Sequence, residues 1–236
     1  MAIPASPADG SLRVVLLGAS GMVGSAVLSE CLADPAVEKV LSLGRGPSGR
    51  THPKLTDLVH HDMFDLAAVA GGLAGYDACF FTVGTTSAGK SEGDYTRLTY
   101  DLTASVAKTL LTLNPGMSIV YVTGAGADST EKGSVMWARV KGRTENHLLK
   151  MGFRSATMIR LAGLVPAPGF RSKTALYNLF YVPFGPVLPL LARAFPNLVT
   201  TPHILGRAFI RAAQGRSPKP ILEPRDINAL GSASGA

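Results

Sequence analysis

A chain of 236 residues, 46% hydrophobic and 17% charged, has the composition of a folded domain and excludes a disordered or fibrous protein. Its formal net charge of +7 is unevenly distributed: residues 1–131 hold 8 basic and 13 acidic groups, residues 132–236 hold 15 basic and 3 acidic ones. Two cysteines, Cys31 and Cys79, and five scattered histidines offer neither a disulfide framework nor metal-ligand spacing, so no metal is expected and the expected setting is reducing and cytoplasmic.

Residues 1–11 lack the basic start and apolar core of a signal peptide and read as a loose tail. The basic residues of the second half are dispersed and not interleaved with aromatics, and no nucleic-acid-reading motif accompanies them. Nucleic acid is therefore not an expected partner. An anionic small molecule or an anionic membrane surface fits the asymmetry, as does a merely solvated basic face.

Leu12–Leu17 is an apolar strand that breaks into Gly18-Ala19-Ser20-Gly21-Met22-Val23-Gly24 and resumes as an amphipathic helix over Met22–Ala33, stopped by Asp34-Pro35. Gly18 lets the chain leave the strand sharply, Gly21 lets backbone approach a pyrophosphate, and Gly24 lets the helix pack closely. The helix start, with its unpaired N–H groups, is an anion site, so Gly18, Ser20, Gly21, Met22, Val23 and Gly24 are the expected dinucleotide cradle. Val40–Leu43 is the second strand. Arg45 follows it, where a chain binding NAD usually presents an acid; an arginine suits the 2′-phosphate of NADP, and it is equally an ordinary loop arginine.

Leu58–His61 reads as the third strand, with Asp62 and Met63 placed to bracket an adenine or to cap the next helix. Asp77–Val83 is a fourth strand, apolar as a strand covered on both faces should be. Tyr95–Leu113 is a helix, Ile119–Thr123 a strand, Val135–Lys150 a helix and Ala156–Leu161 the sixth strand. This alternation predicts an α/β fold of Rossmann type, a doubly wound parallel sheet with ligands beyond the carboxyl ends of its strands. Gly84–Ser91 matches a P-loop and Gly89–Gly93 matches G-x-S-x-G. Both lack the surrounding elements those motifs need and are read as decoys.

On Gly18–Gly24, Gly84-Thr85-Thr86, Gly126-Ala127-Asp128 and Val140-Lys141-Gly142 with Glu145, residues 12 to about 215 resemble the extended and atypical short-chain dehydrogenase/reductases. The likeness is to the group around Tat-interacting oxidoreductase-like proteins and nucleoside-diphosphate-sugar epimerases. The resemblance implies a nicotinamide cofactor lying along Val83, Gly84 and Thr85, a hydroxyl after strand five that meets the reacting carbonyl, with Thr123 nearest, and a Tyr-x-x-x-Lys pair. One helical turn separates that pair, so the ammonium lowers the phenol's pKa and grips the ribose. Here Lys141 is in register but the tyrosine position is Trp137, whose indole donates a hydrogen bond and exchanges no proton. Lys141 paired with Glu145 one turn on is the plain surface alternative.

Residues 164–200 are the expected substrate lid or interface region of a single domain spanning 12–236. Within them, 174–195 is strongly apolar but interrupted by Pro183, Pro186 and Pro189. A lid over an apolar substrate, a face between two copies, and, less favoured, a rest on a membrane surface all fit that segment. Tyr177 and Tyr181 are candidates for the missing proton donor. Thr201-Pro202 starts a last helix, and 231–236 reads as a tail. The expectation is thus an NADP(H)-preferring oxidoreductase acting on a small, apolar carbonyl or related substrate. The alternatives are a cofactor-binding regulatory scaffold and an epimerase-type enzyme without net redox change.

Overall fold

The computed structural model describes residues 11–165 and 198–233. The strands are β1 (Leu12–Leu17), β2 (Val37–Gly44), β3 (Leu55–Val59), β4 (Ala78–Phe81), β5 (Ser118–Gly124), β6 (Ala156–Leu161), β7 (Gly163–Leu164), β8 (Val199–Thr200) and β9 (Ile221–Leu222). Seven of them form one parallel sheet in the order β3-β2-β1-β4-β5-β6-β9, while β7 and β8 pair separately. The order reverses direction between β1 and β4, which opens a crevice at their carboxyl ends.

Side chains alternate across each strand, and this splits the core into two layers. Leu12, Val14 and Leu16 of β1, with Phe80, Val120 and Ile159, meet α1 (Met22–Ala33) and a later helix over Pro202–Ala213. Val15 and Leu17, with Phe81, Ile119 and Tyr121, meet α3 (Leu102–Leu113) and α4 (Met136–Lys150). The helix over Pro202–Ala213, α5, is pinned by Phe209, which is fully buried and meets Phe80 edge-on at 5.3 Å. Burial of such a side chain contributes roughly 1.5–3 kcal/mol and fastens α5 to β4, while bare Gly206 lets α5 approach Glu30 and Ala26 of α1.

The run expected as one helix from Tyr95 begins earlier, as the short helix α2 (Glu92–Thr96), and passes through a π turn over Arg97–Asp101 before α3. The third strand lies at Leu55–Val59 and not at Leu58–His61, because its ladder is set by Val40–Gly44 of β2. His60 and His61 are thereby released into the loop beyond the sheet. The helical stretch expected after Asp65-Leu66 is a 3-10 helix over Ala67–Leu73. Nor is α5 the last helix: β9 and α6 (Pro224–Ser232) come after it, and Gly231 is not tail but a buried residue of α6 set against the backbone of Ile204.

Candidate functional site

A cleft of about 1070 Å³ opens at the carboxyl ends of β1, β2 and β4. Its floor is the turn after β1. Gly18 has φ +86°, and a Cβ there would lie 2.7 Å from Thr82 Oγ1, whose hydroxyl donates to Leu17 O at 2.6 Å. A Cβ at Gly24 would run into the carbonyl of Gly18 itself, so α1 reaches the turn only because that position is bare. Gly21 is the extended N-cap residue of α1, no side chain caps the helix, and its first turn carries no acid. That end of α1 keeps its positive pole for an outside anion.

Gly18, Ser20, Gly21, Arg45, Asp62, Met63, Val83, Gly84 and Thr85 line the cleft, whereas Met22, Val23 and Gly24 lie just behind it in α1. Arg45 is exposed and has no ion pair among the described residues. The loop carrying it is folded back by Asp57 of β3, which accepts from Ser48 N and Ser48 Oγ, each at 3.0 Å. Asp62 accepts from Phe64 N at 2.9 Å, so it closes a local turn at the cleft wall. The sequence reading missed His61, Phe64, Leu98 and Leu102, all of which line the same wall. Phe64 carried a signal, being a large apolar residue in a polar loop. It is exposed, with the Arg97 guanidinium 5.4 Å from its ring centre.

The two decoy motifs find no phosphate or acyl chemistry around them. Ser91 is the N-cap of α2: its Oγ accepts from Asp94 N at 3.1 Å and donates to Asp94 Oδ2 at 2.7 Å. The five-residue helix that follows carries Glu92 and Asp94 in its first turn, which repels a phosphate. Cys31 and Cys79 are fully buried, and burial pushes both thiols well above the ordinary range, so neither is a nucleophile.

Further along the sheet, β5 and α4 gather a second set outside the cleft lining. Thr123, 4% exposed, is the one buried side chain among the described residues whose polar atom has no hydrogen-bond partner. Its Oγ1 is shielded from solvent at the end of β5 and stands outside the residues that line the cleft. Trp137 is half-buried, its ring resting over Gly124 and Gly126 at 3.4 and 3.6 Å from where their Cβ atoms would be. Lys141 donates to Tyr121 Oη at 3.2 Å. Burial works against its charge, yet Tyr121, Tyr95 and Glu145 outweigh burial and hold its pKa above the ordinary lysine value. Glu145 does not pair with Lys141; it takes Arg160 instead, at 2.6 and 3.1 Å. Tyr177, Tyr181 and the apolar segment 174–195 lie outside the described residues.

No family model matches the chain. It is 30% identical over 171 residues to the protein fmp52, mitochondrial, of Emericella nidulans, covering 69% of this chain and 71% of that one. The chain belongs to the Fmp52 family. Two further members are similar: fmp52-1 of Aspergillus terreus (29% over 153 residues; 62% and 64% of the two chains) and fmp52 of Aspergillus fumigatus (28% over 177 residues; 72% and 74%). The chain thus spans 71%, 64% and 74% of the lengths of these relatives. Their names correct the cytoplasmic expectation, which rested on cysteine usage alone: each is called mitochondrial, also a compartment where free thiols are common.

Solved structures give this Fmp52-family chain its fold relatives. WbmH of Bordetella bronchiseptica, in complex with NAD+, superposes with a TM-score of 0.65 at 20% identity, covering 90% of this chain and 75% of that one. A UDP-galactose 4-epimerase gives 0.63 at 15% (90% and 76%). The glucuronic acid dehydrogenase of Chromohalobacter salexigens gives 0.62 at 15% (90% and 76%). These likenesses show the fold, a Rossmann-type α/β parallel sheet shared with these dehydrogenase and epimerase structures.

Proposed function

We propose that this protein is an NAD(P)-dependent oxidoreductase of the atypical short-chain type that prefers NADP(H) and acts on a small, apolar carbonyl or related substrate. The observation that carries the cofactor preference is Arg45, an exposed arginine with no ion pair among the described residues, on the cleft wall at the end of β2. The cleft fits a dinucleotide: a bare glycine turn, a helix start without an acid, and an apolar wall of Met63, Phe64 and Val83 for a base. When bound, the nicotinamide supplies or accepts the hydride.

In this reading Gly18–Gly21 and the start of α1 hold the pyrophosphate and Arg45 the 2′-phosphate, while Val83, Gly84 and Thr85 flank the cofactor. Lys141 grips the nicotinamide ribose as a permanent cation. Thr123, after strand five, supplies the hydroxyl that meets the substrate oxygen. Trp137 excludes water over Gly124 and Gly126 and moves no proton. The fungal relatives' names support a mitochondrial setting.

Parallel titration of NADPH and NADH, followed by cofactor fluorescence, tests this. NADPH should bind more tightly, and Arg45→Ala should weaken it by about ten- to a hundredfold while leaving NADH little changed. Equal binding of both by the wild type would remove the NADP preference; binding of neither would remove the enzyme reading. Trp137 in the proton-donor register favours one second reading, a cofactor-bound protein without net turnover. A carbonyl panel with NADPH consumption as the readout separates the two.

A further inference from the structure

Tyr121 is a phenol that the proposed chemistry does not use. It is fully buried on β5, two residues before Thr123 and so on the same strand face, with its ring 5.7 Å from that of Phe81. From α4, Lys141 Nζ donates to Tyr121 Oη at 3.2 Å and lies 5.1 Å from the ring centre. A buried phenol needs a hydrogen-bond partner and a desolvated ammonium needs an acceptor; each supplies the other. A lysine stem without an anchor samples many positions, and fixing it beforehand lowers the entropy lost when a ligand is gripped.

We infer that Tyr121 is the positioning residue for Lys141, supplying from β5 the phenol partner that Trp137 cannot supply from α4, and so holding the ammonium where ribose hydroxyls arrive. This rests on the ribose-binding role proposed for Lys141. The other groups acting on the ammonium are Tyr95 of α2, itself 2% exposed, and Glu145 of α4, which is engaged with Arg160. Tyr121 is the one that touches it.

A double-mutant cycle on the full chain tests the assignment, with NADPH affinity and melting temperature measured for wild type, Tyr121→Phe, Lys141→Met and the double variant. Tyr121→Phe keeps the ring and should weaken NADPH by about tenfold, and the double variant should bind no more weakly than Lys141→Met. Losses that add, or wild-type affinity in Tyr121→Phe, would overturn it. A ligand-free readout keeps this separate from the cofactor reading: the NMR titration of the Lys141 ε-carbon should move to lower pH in Tyr121→Phe, because burial then loses its nearest opponent while Tyr95 and Glu145 remain. An unmoved titration overturns the pair even if NADPH binds, and a wild type that binds no dinucleotide overturns the cofactor reading even if the titration moves.

Discussion

Arg160 of β6 and Glu145 of α4 meet in a two-point ion pair, Nε to Oε1 at 3.1 Å and an Nη to Oε2 at 2.6 Å, with the glutamate side chain wholly shielded from solvent. The guanidinium also donates to Ser129 Oγ at 2.6 Å and to Glu223 at 3.1 Å, so one side chain joins β6, α4, the loop after β5 and the start of α6. Hydrogen bonding to Glu145, set against burial, holds its pKa above the ordinary arginine value. Glu145→Ala leaves Arg160 short of its main partner and should cost roughly 3–5 kcal/mol in urea unfolding. Adding Arg160→Met should recover part of that loss. A cost near zero for the single change would mean that the pair is replaceable by water.

Trp137→Tyr restores a phenol one turn before Lys141. If proton supply limits turnover, NADPH consumption with reactive carbonyls should rise by roughly a hundredfold over wild type, the scale of a single placed acid. Steady-state rates measured with the same carbonyl panel check this. An unchanged rate would mean that the proton already reaches the substrate by another route.

Asp128 gives the loop after β5 an acid-sensitive latch. The Thr130 hydroxyl at 2.6 Å and Gly133 N at 2.7 Å hold its carboxylate below the ordinary value of 3.8, while its own N–H donates to Ala138 O at 2.9 Å. A carboxylate with a depressed folded pKa stabilises fully above its ordinary value and loses that contribution as pH falls through the lower, folded one. Trp137, the only tryptophan, sits beside Ala138 and reports the loop. Its emission should be steady down to about pH 4 and then change with a midpoint below that. Asp128→Asn should lack the acid step.

The sheet was legible where strands carry continuous apolar runs, as in Val14–Leu17 of β1 and in β4, because burial on both faces leaves that signature. Ile221-Leu222 carries no period of its own between Pro220 and Glu223-Pro224, and only its pairing with Met158 and Ile159 makes it a strand. The glycine turn and Arg45 were legible because local spacing fixes them. The alternative that helical spacing offered, Lys141 paired with Glu145, does not form, since a planar guanidinium from the adjacent strand offers the carboxylate two bonds where a lysine offers one. Tyr121 was not legible as a partner of Lys141: the two are twenty positions apart on different elements, and only the demand of a buried phenol for a hydrogen bond hints at the pairing.

The small β7–β8 pair stitches Gly163–Leu164 to Val199–Thr200, with Gly163 N donating to Leu198 O at 3.1 Å and Val165 N to Thr200 O at 3.0 Å. The chain up to Val165 and the chain from Leu198 onward are therefore joined at one seam. Whatever its length, a segment inserted between Val165 and Leu198 meets the sheet domain at two neighbouring backbone points, so changes there need not disturb the register of the main sheet. The same seam offers protein engineers a natural graft point.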